Sequence, residues 1–189
     1  MTTTICNDDM DALARLFVAA SDRPAHLSLI RIADLCTFAR VLLVTDGTVT
    51  HMLRAHFHEP INVNVLSHDL QILEAAEPWL QAKTGDEILL RKVALIGARI
   101  GRTYCFATSW IALERLSPDM RADVVSMQQS LGDVLLSNFS ENRRELLWCG
   151  STQDGESQFQ NLERAYRVIS GGVPIMMIAE TFTPVILNQ

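Results

Sequence analysis

Two charged residues stand inside otherwise apolar segments, and their side chains are the best candidates for chemistry. Glu180 lies in VPIMMIAETF, residues 173–182, where the alternation of a strand puts it on one face with Met176, Ile178 and Phe182. Burying a lone carboxylate among such side chains is very unfavourable. Glu180 therefore requires either a partner or a function.

Arg91 presents the same problem with the opposite charge. The strand-like segment EILLRKVALI, residues 87–96, puts Arg91 on one face with Leu89 and Val93. A guanidinium cannot lose its charge in such surroundings, so it needs an anion. That anion is either a ligand carboxylate bound in bidentate fashion or Glu180 in a structural ion pair, and the residues favour neither alternative.

Other residues that often carry chemistry are better explained by structure. His51, His56 and His58 cluster, but they follow no recognised metal-site spacing such as HExxH, so we expect no metal site. The SGG sequence at residues 170–172 joins two strands and is predicted to be a turn rather than a phosphate-binding loop. Cys149 has no neighbouring base in the sequence, which gives no support to a nucleophilic role.

The composition excludes several classes of protein. The chain has 189 residues and a formal net charge of −6, so it lacks the excess of basic residues that a general nucleic-acid binder needs. Its 4 cysteines form no CxxC pair and no dense framework, which favours a reducing compartment. The N-terminus shows no secretory signal, and no apolar run is long enough to span a bilayer. We expect a cytoplasmic protein without membrane insertion.

The elements that position Arg91 and Glu180 are helical early in the chain and mostly extended later. Helical segments are predicted over residues 8–20, 28–44, from 117 onward and over 131–136, and residues 51–57 form a short amphipathic stretch. Strands are predicted over residues 61–66, 87–96, 103–113, 144–149, 166–169 and 174–182. Residues 1–7 are expected to be a disordered tail, 70–81 a short helix or connector, and 152–160 a mobile loop. This order favours one α+β domain over residues 1–189, built on an antiparallel sheet of about six strands.

The chain resembles the chorismate pyruvate-lyase family. The ending AYRVISGGVPIM at residues 165–176, followed by Glu180 and Phe182, carries most of this resemblance. Three shorter segments occur in the order that the family has them: DGTVT at 46–50, LLRKV at 89–93 and SLGDVLL at 130–136. The resemblance extends from Leu42 to Phe182, and no match is identified before Leu42.

The resemblance implies a fold, a reaction and a set of site residues. The implied fold is an antiparallel sheet with helices packed on it and a ligand cavity enclosed beneath helical flaps. By motif position, Arg91 binds a substrate carboxylate, and Glu180 hydrogen-bonds the ring hydroxyl or assists proton transfer. Val49 lines the cavity from the first flap, where better-known members have methionine, and Leu131 lines it from the second. Arg167, one strand before Glu180 in the hairpin, is a further candidate cation.

The implied reaction is the removal of pyruvate from chorismate to leave 4-hydroxybenzoate, without a cofactor or a metal. We expect a monomer or small homo-oligomer that supplies quinone biosynthesis or the assembly of phenolic lipids or secondary metabolites. One alternative is a ligand-sensing domain of the same fold, which is disfavoured because the residues before 42 are not basic and show no recognition helix. Another is a relative that makes a different hydroxybenzoate from chorismate.

Overall fold

The computed structural model describes residues 13–126, 131–137, 142–152 and 161–187, and one antiparallel sheet forms its centre. The strands within these ranges are β1 (Leu27–Ser28), β2 (Ile61–Ile72), β3 (Glu87–Gly97), β4 (Thr103–Ile111), β5 (Asn142–Thr152), β6 (Asn161–Ser170) and β7 (Val173–Phe182). Their order in the sheet is β1-β5-β6-β7-β4-β3-β2, and every neighbouring pair is antiparallel. The predicted α+β class is confirmed, with the two-residue β1 added to six long strands.

Helices connect the strands and cover one face of the sheet. They are α1 (Thr37–Val44), α2 (Val49–Phe57), α3 (Pro118–Ser126) and α4 (Leu131–Ser137). The start of α3 is as predicted, because the Ser117 hydroxyl accepts a hydrogen bond from the backbone N–H of Met120 at 3.3 Å. Within the described part of the chain, no helix has the length and apolar character to cross a membrane.

The core lies between the helices and the side chains that alternate along the central strands. Leu42 and Leu43 of α1 and Leu53 of α2 are completely buried, and they belong to one apolar cluster with Leu89 and Leu95 of β3. A second, smaller cluster lies on the opposite face of the sheet, where Trp79 and Trp148 meet with ring centroids 6.0 Å apart. Both faces are therefore covered, and a polar group on an inward position must find a partner inside the protein.

The N-terminal part of the chain differs from its prediction. The helix predicted over residues 8–20 lies partly outside the described residues, and from residue 13 onward the chain forms only short 3₁₀ turns. The cause is tertiary: the backbone N–H groups of Val18 and Ala19 donate to the carbonyls of Leu146 and Leu147 in β5, at 3.0 and 2.9 Å. Hydrogen bonds to the neighbouring strand thus replace the helical ones that the apolar spacing predicts.

The observed boundaries of two further segments differ from the predicted ones. The helix predicted over residues 28–44 is only α1, because Leu27 and Ser28 pair with β5 and a 3₁₀ turn intervenes. The segment 70–81 is not a helix at its start, because the pairing of β2 with β3 continues as far as Ile72 and Glu87. The mobile loop predicted over 152–160 lies outside the described residues except for Thr152, which ends β5, and the predicted tail 1–7 also lies outside them.

The predicted hairpin near the C-terminus is confirmed as β6 and β7 joined at residues 171–172. Gly171 and Gly172 adopt φ angles of 56° and 83°, the left-handed region that glycine tolerates best. The two strands are longer than predicted, and their register shifts between Val168 and Ile169. The register after this shift decides which side chains meet in the site.

A substitution series at Gly171 tests whether the turn conformation stabilises this hairpin. A Cβ added at Gly171 meets no atom within 4 Å, so any cost is conformational rather than steric. Asparagine tolerates the left-handed region, whereas a β-branched residue does not. We expect Gly171→Val to lower the free energy of unfolding in urea by about 1–2 kcal/mol relative to Gly171→Asn. Equal stability of the two variants would show that the turn does not require a positive φ.

Candidate active site

A cavity lies between the middle of the sheet and the first turns of α2 and α4. The sheet contributes both apolar and charged lining residues, among them Arg91, Ile178 and Glu180. Two of the predicted site residues, Val49 and Leu131, line the cavity from α2 and α4.

Small side chains on β4 create the space at the centre of the cavity. Ser109 pairs with Arg91 of β3, and Ala107 pairs with Glu180 of β7, so β4 runs between the two charged residues. Neighbouring strands are about 4.8 Å apart, which places the backbones of β3 and β7 about 10 Å apart. Because Ala107 and Ser109 reach only a short distance above the sheet, a flat ring has room between Arg91 and Glu180.

Glu180 is held by a buried ion pair with Arg164. The Arg164 Nε donates to Glu180 Oε2 at 2.8 Å, and the Arg164 side chain is 0% exposed. The Tyr166 hydroxyl donates to the other carboxylate oxygen, Oε1, at 3.2 Å. The structure therefore pairs Glu180 with Arg164 of β6, a residue that the sequence analysis did not single out; the ion pair considered there was with Arg91.

Arg164 is itself fixed from several directions. Its Nη1 donates to the carbonyls of Thr45 and Leu43 at 2.7 and 3.3 Å, at the C-terminal end of α1, where cations are favoured. Its guanidinium carbon lies 5.1 Å from the centroid of the Tyr166 ring. This arrangement fixes the position of the Glu180 carboxylate, because the cation that binds it has little freedom to move.

Tyr166 acts as a neutral hydrogen-bond donor. Burial raises the pKa of its hydroxyl far above the usual value of 10.0, and the negative charge of Glu180 raises it further. The hydroxyl therefore keeps its proton at neutral pH and continues to donate to Glu180. Tyr166 also lines the cavity, so one side chain both supports the carboxylate and forms part of the wall.

Arg91 lies on the cavity wall with 3% of its surface exposed. Burial lowers the pKa of its guanidinium from the ordinary value of 12.5, but the group stays charged at neutral pH. The positive charge also acts on His68, whose pKa is lowered first by its own burial and then by Arg91. A cation at this position favours an anionic ligand in the cavity.

The first turns of α2 and α4 come into contact above the cavity. A Cβ added at Gly132 would lie 2.5 Å from Cγ2 of Thr48, so only glycine allows the two segments to approach this closely. Beyond this contact, the Nε2 of His51 lies 3.3 Å from Oδ1 of Asp133. The two helical flaps implied by the resemblance thus correspond to α2 and α4, which carry Val49 and Leu131.

The structure does not bring Arg167 to the cavity. In β6, Arg164 and Tyr166 point to the cavity side, so Arg167, the residue after Tyr166, points to the opposite face. There its Nε donates to Oε2 of Glu145 at 2.6 Å, and its guanidinium lies 5.8 Å from the Trp79 ring. The second arginine that lines the cavity is instead Arg144 of β5.

The remaining candidates from the sequence are placed elsewhere. His56 stacks on Phe38 with ring centroids 3.6 Å apart, and His51 contacts Asp133. The residues that the structure describes contain no group of three potential metal-ligating side chains. Cys149 of β5 is half-buried and is not among the residues found to line the cavity.

Comparisons with known proteins identify a matching family and related sequences. The family model described as chorismate pyruvate-lyase Rv2949c-like matches residues 43–189. A chorismate pyruvate-lyase of Mycobacterium tuberculosis (strain ATCC 25618 / H37Rv) is 28% identical over 156 residues, which cover 76% of this chain and 78% of the relative. The chorismate pyruvate-lyase of Mycobacterium leprae (strain TN) is 25% identical over 152 residues, which cover 76% of this chain and 72% of the relative.

A solved structure shows the same fold at low sequence identity. PhnF from Mycobacterium smegmatis superposes with a TM-score of 0.58 at 12% identity, over 77% of this chain and 67% of that chain. This similarity extends to the fold alone. Because the family model matches most of the sequence, the chain belongs to the Rv2949c-like family of chorismate pyruvate-lyases.

Proposed function

We propose that this protein removes pyruvate from chorismate to give 4-hydroxybenzoate, and that Arg91 and Glu180 are its catalytic residues. One observation carries the proposal beyond family membership. A buried arginine and a buried, ion-paired carboxylate line the same cavity, and small side chains leave space between them. This arrangement suits a flat ring with a carboxylate at one end and a hydroxyl at the other.

Electrostatic complementarity supports a dianionic substrate. Among the residues that the structure describes, Arg91, Arg144 and Glu180 line the cavity and Arg164 pairs with Glu180, so these four groups carry a formal excess of two positive charges. Chorismate carries two carboxylates, one on the ring and one on the enolpyruvyl group. In a site with little water, fixed cations attract such a ligand more strongly than they would in solution.

In the proposed binding mode, Arg91 anchors the ring carboxylate. A guanidinium can donate two parallel hydrogen bonds to a carboxylate, which fixes both the position and the orientation of the ring. Backbone N–H groups near Val49 and Leu131 complete the binding of this carboxylate. The Val49 amide belongs to the first turn of α2, where the N–H groups have no helical acceptor and the helix dipole favours an anion.

The proposed reaction is an elimination that makes the ring aromatic. The bond between ring carbon 3 and the ether oxygen breaks, and ring carbon 4 loses its proton. The ring becomes 4-hydroxybenzoate, and the departing enolpyruvate takes up a proton at its methylene carbon to become pyruvate. Aromatisation supplies the driving force, so the protein mainly has to orient the ether and assist the proton transfer.

Glu180 is placed to act at the end of the ring away from Arg91. Its carboxylate accepts the hydrogen bond of the ring hydroxyl or assists the loss of the neighbouring ring proton. Arg164 and Tyr166 hold both carboxylate oxygens, which prevents the side chain from rotating away. Because the base is already held in position, little conformational entropy is lost when the transition state forms.

The proposal is tested by incubating the purified protein with chorismate in the absence of added metal or cofactor and separating the products by chromatography. Equimolar pyruvate and 4-hydroxybenzoate support it. A different hydroxybenzoate would show that the site binds chorismate but directs the elimination elsewhere. Absence of turnover together with tight binding of an aromatic acid would identify a ligand-sensing domain.

Removing the charge of Glu180 tests its catalytic role. We expect Glu180→Gln to lower kcat for chorismate by about 10²–10⁴-fold, which is the usual contribution of a general acid or base. The matched control is Glu163→Gln, because Glu163 lies next to Arg164 on the opposite face of β6 and hydrogen-bonds Thr181. Full turnover by Glu180→Gln would remove this carboxylate from the mechanism.

Removing the charge of Arg91 tests the carboxylate anchor. Loss of a charge-assisted hydrogen bond should weaken the binding of both chorismate and 4-hydroxybenzoate by about 10- to 100-fold in Arg91→Gln. Lys92→Gln is the matched control, because Lys92 is the next residue of β3 and is exposed. Titration calorimetry with 4-hydroxybenzoate measures the effect, and an unchanged dissociation constant would show that Arg91 serves only the structure.

A further inference from the structure

We propose that Arg144 forms a second carboxylate subsite, which binds the carboxylate of the enolpyruvyl group while that group leaves the ring. The inference rests on the proposed function and extends it to a residue that the sequence analysis treated only as part of a strand. Three independent features of the structure support it: the position of Arg144 between two cavities, its available hydrogen-bond donors and the balance of charge in the site.

Arg144 stands where two cavities adjoin. It lines the cavity that contains Arg91 and Glu180, and it also lines a second cavity. The second cavity is bounded on its other sides by residues that include Asp46, Leu135 and Asn142. A group held by Arg144 can therefore contact the ring in the first cavity and still have space on its far side.

The hydrogen bonds of Arg144 orient it without using all of its donors. Its Nη1 donates to the backbone carbonyl of Asp46, in the turn before α2. Its guanidinium carbon lies 5.9 Å from the centroid of the Tyr166 ring, which also lines the first cavity. Its Nε is buried and has no hydrogen-bond partner within the described ranges. A buried donor without a partner is unfavourable, and a carboxylate ligand would satisfy it.

Arg144 differs from Arg164 and Arg167, each of which is already paired with a carboxylate of the protein. Arg164 already binds Glu180 and two carbonyls of the chain, and Arg167 lies on the opposite face with Glu145. Arg91 and Arg144 are the arginines among the residues found to line the first cavity. They stand on β3 and β5, with β4, β7 and β6 between them, so the two cations face the cavity from different strands of the sheet.

The subsite has a defined role in the elimination. As the bond from ring carbon 3 to the ether oxygen breaks, the electron pair stays on that oxygen and gives an enolate attached to a carboxylate. A fixed cation beside this fragment stabilises the charge that develops in the transition state. The fragment then takes up a proton on carbon and departs as pyruvate, while 4-hydroxybenzoate remains bound through Arg91.

The test compares a ligand with two carboxylates with a ligand that has one. We expect Arg144→Gln to lower kcat/KM for chorismate by about 10- to 100-fold. The dissociation constant of 4-hydroxybenzoate, measured by titration calorimetry, should change by less than about twofold, because this product lacks the second carboxylate. Arg144→Lys, which keeps a positive charge but loses the planar fork, should fall between wild type and Arg144→Gln.

The matched control is Lys92→Gln, because Lys92 carries a positive charge at an exposed position of β3 and is among the lining residues of neither cavity. This variant should keep the wild-type kcat/KM, and retained binding of 4-hydroxybenzoate shows that each variant is folded. Unchanged kcat/KM in Arg144→Gln, or an equal loss for chorismate and 4-hydroxybenzoate, would overturn the subsite alone. A wild-type protein that does not convert chorismate would overturn the proposed function, and the subsite with it.

Discussion

The buried ion pair between Arg164 and Glu180 is the constraint on which the rest of the site depends. A carboxylate that is 6% exposed among apolar side chains is tolerated only with a fixed cation beside it. Arg164 meets this requirement and at the same time binds two carbonyls at the end of α1. Arg164 therefore links the hairpin, the first helix and the Glu180 carboxylate, so a change at Arg164 affects all three.

The register of the hairpin makes this pair possible. Counting outward from the turn, Ser170 pairs with Val173 and Ile169 with Pro174, and a regular ladder would then place Glu163 opposite Glu180. The observed shift leaves Ile175 as an extra residue on β7, so Val168 pairs with Met176 and Arg164 with Glu180. A one-residue shift thus replaces two facing carboxylates by an ion pair. It also turns Arg164 and Tyr166 toward the cavity.

Much of this architecture follows from the pattern of residues. Strong alternation predicts β3, β4 and the closing hairpin, and it also places Arg91 and Glu180 on inward faces, as observed. The partner of Glu180 could not be predicted, because the register shift depends on tertiary pairing that alternation does not encode. Arg144 was missed because its role depends on two cavities formed by distant segments. The prediction of a long helix near the N-terminus was wrong, because the backbone there forms hydrogen bonds with β5 instead of the helical hydrogen bonds that the apolar spacing predicts.

A double-mutant cycle on Arg164 and Glu180 tests the central claim most directly. The free energy of unfolding in urea is measured for wild type, Arg164→Met, Glu180→Gln and the double variant. If the pair is the constraint described above, each single change leaves the other group buried without its partner, and the coupling free energy should be about 2–3 kcal/mol. The account would be contradicted if the two single changes in the free energy of unfolding added up to the change in the double variant to within about 0.5 kcal/mol. Glu180 would then not depend on Arg164.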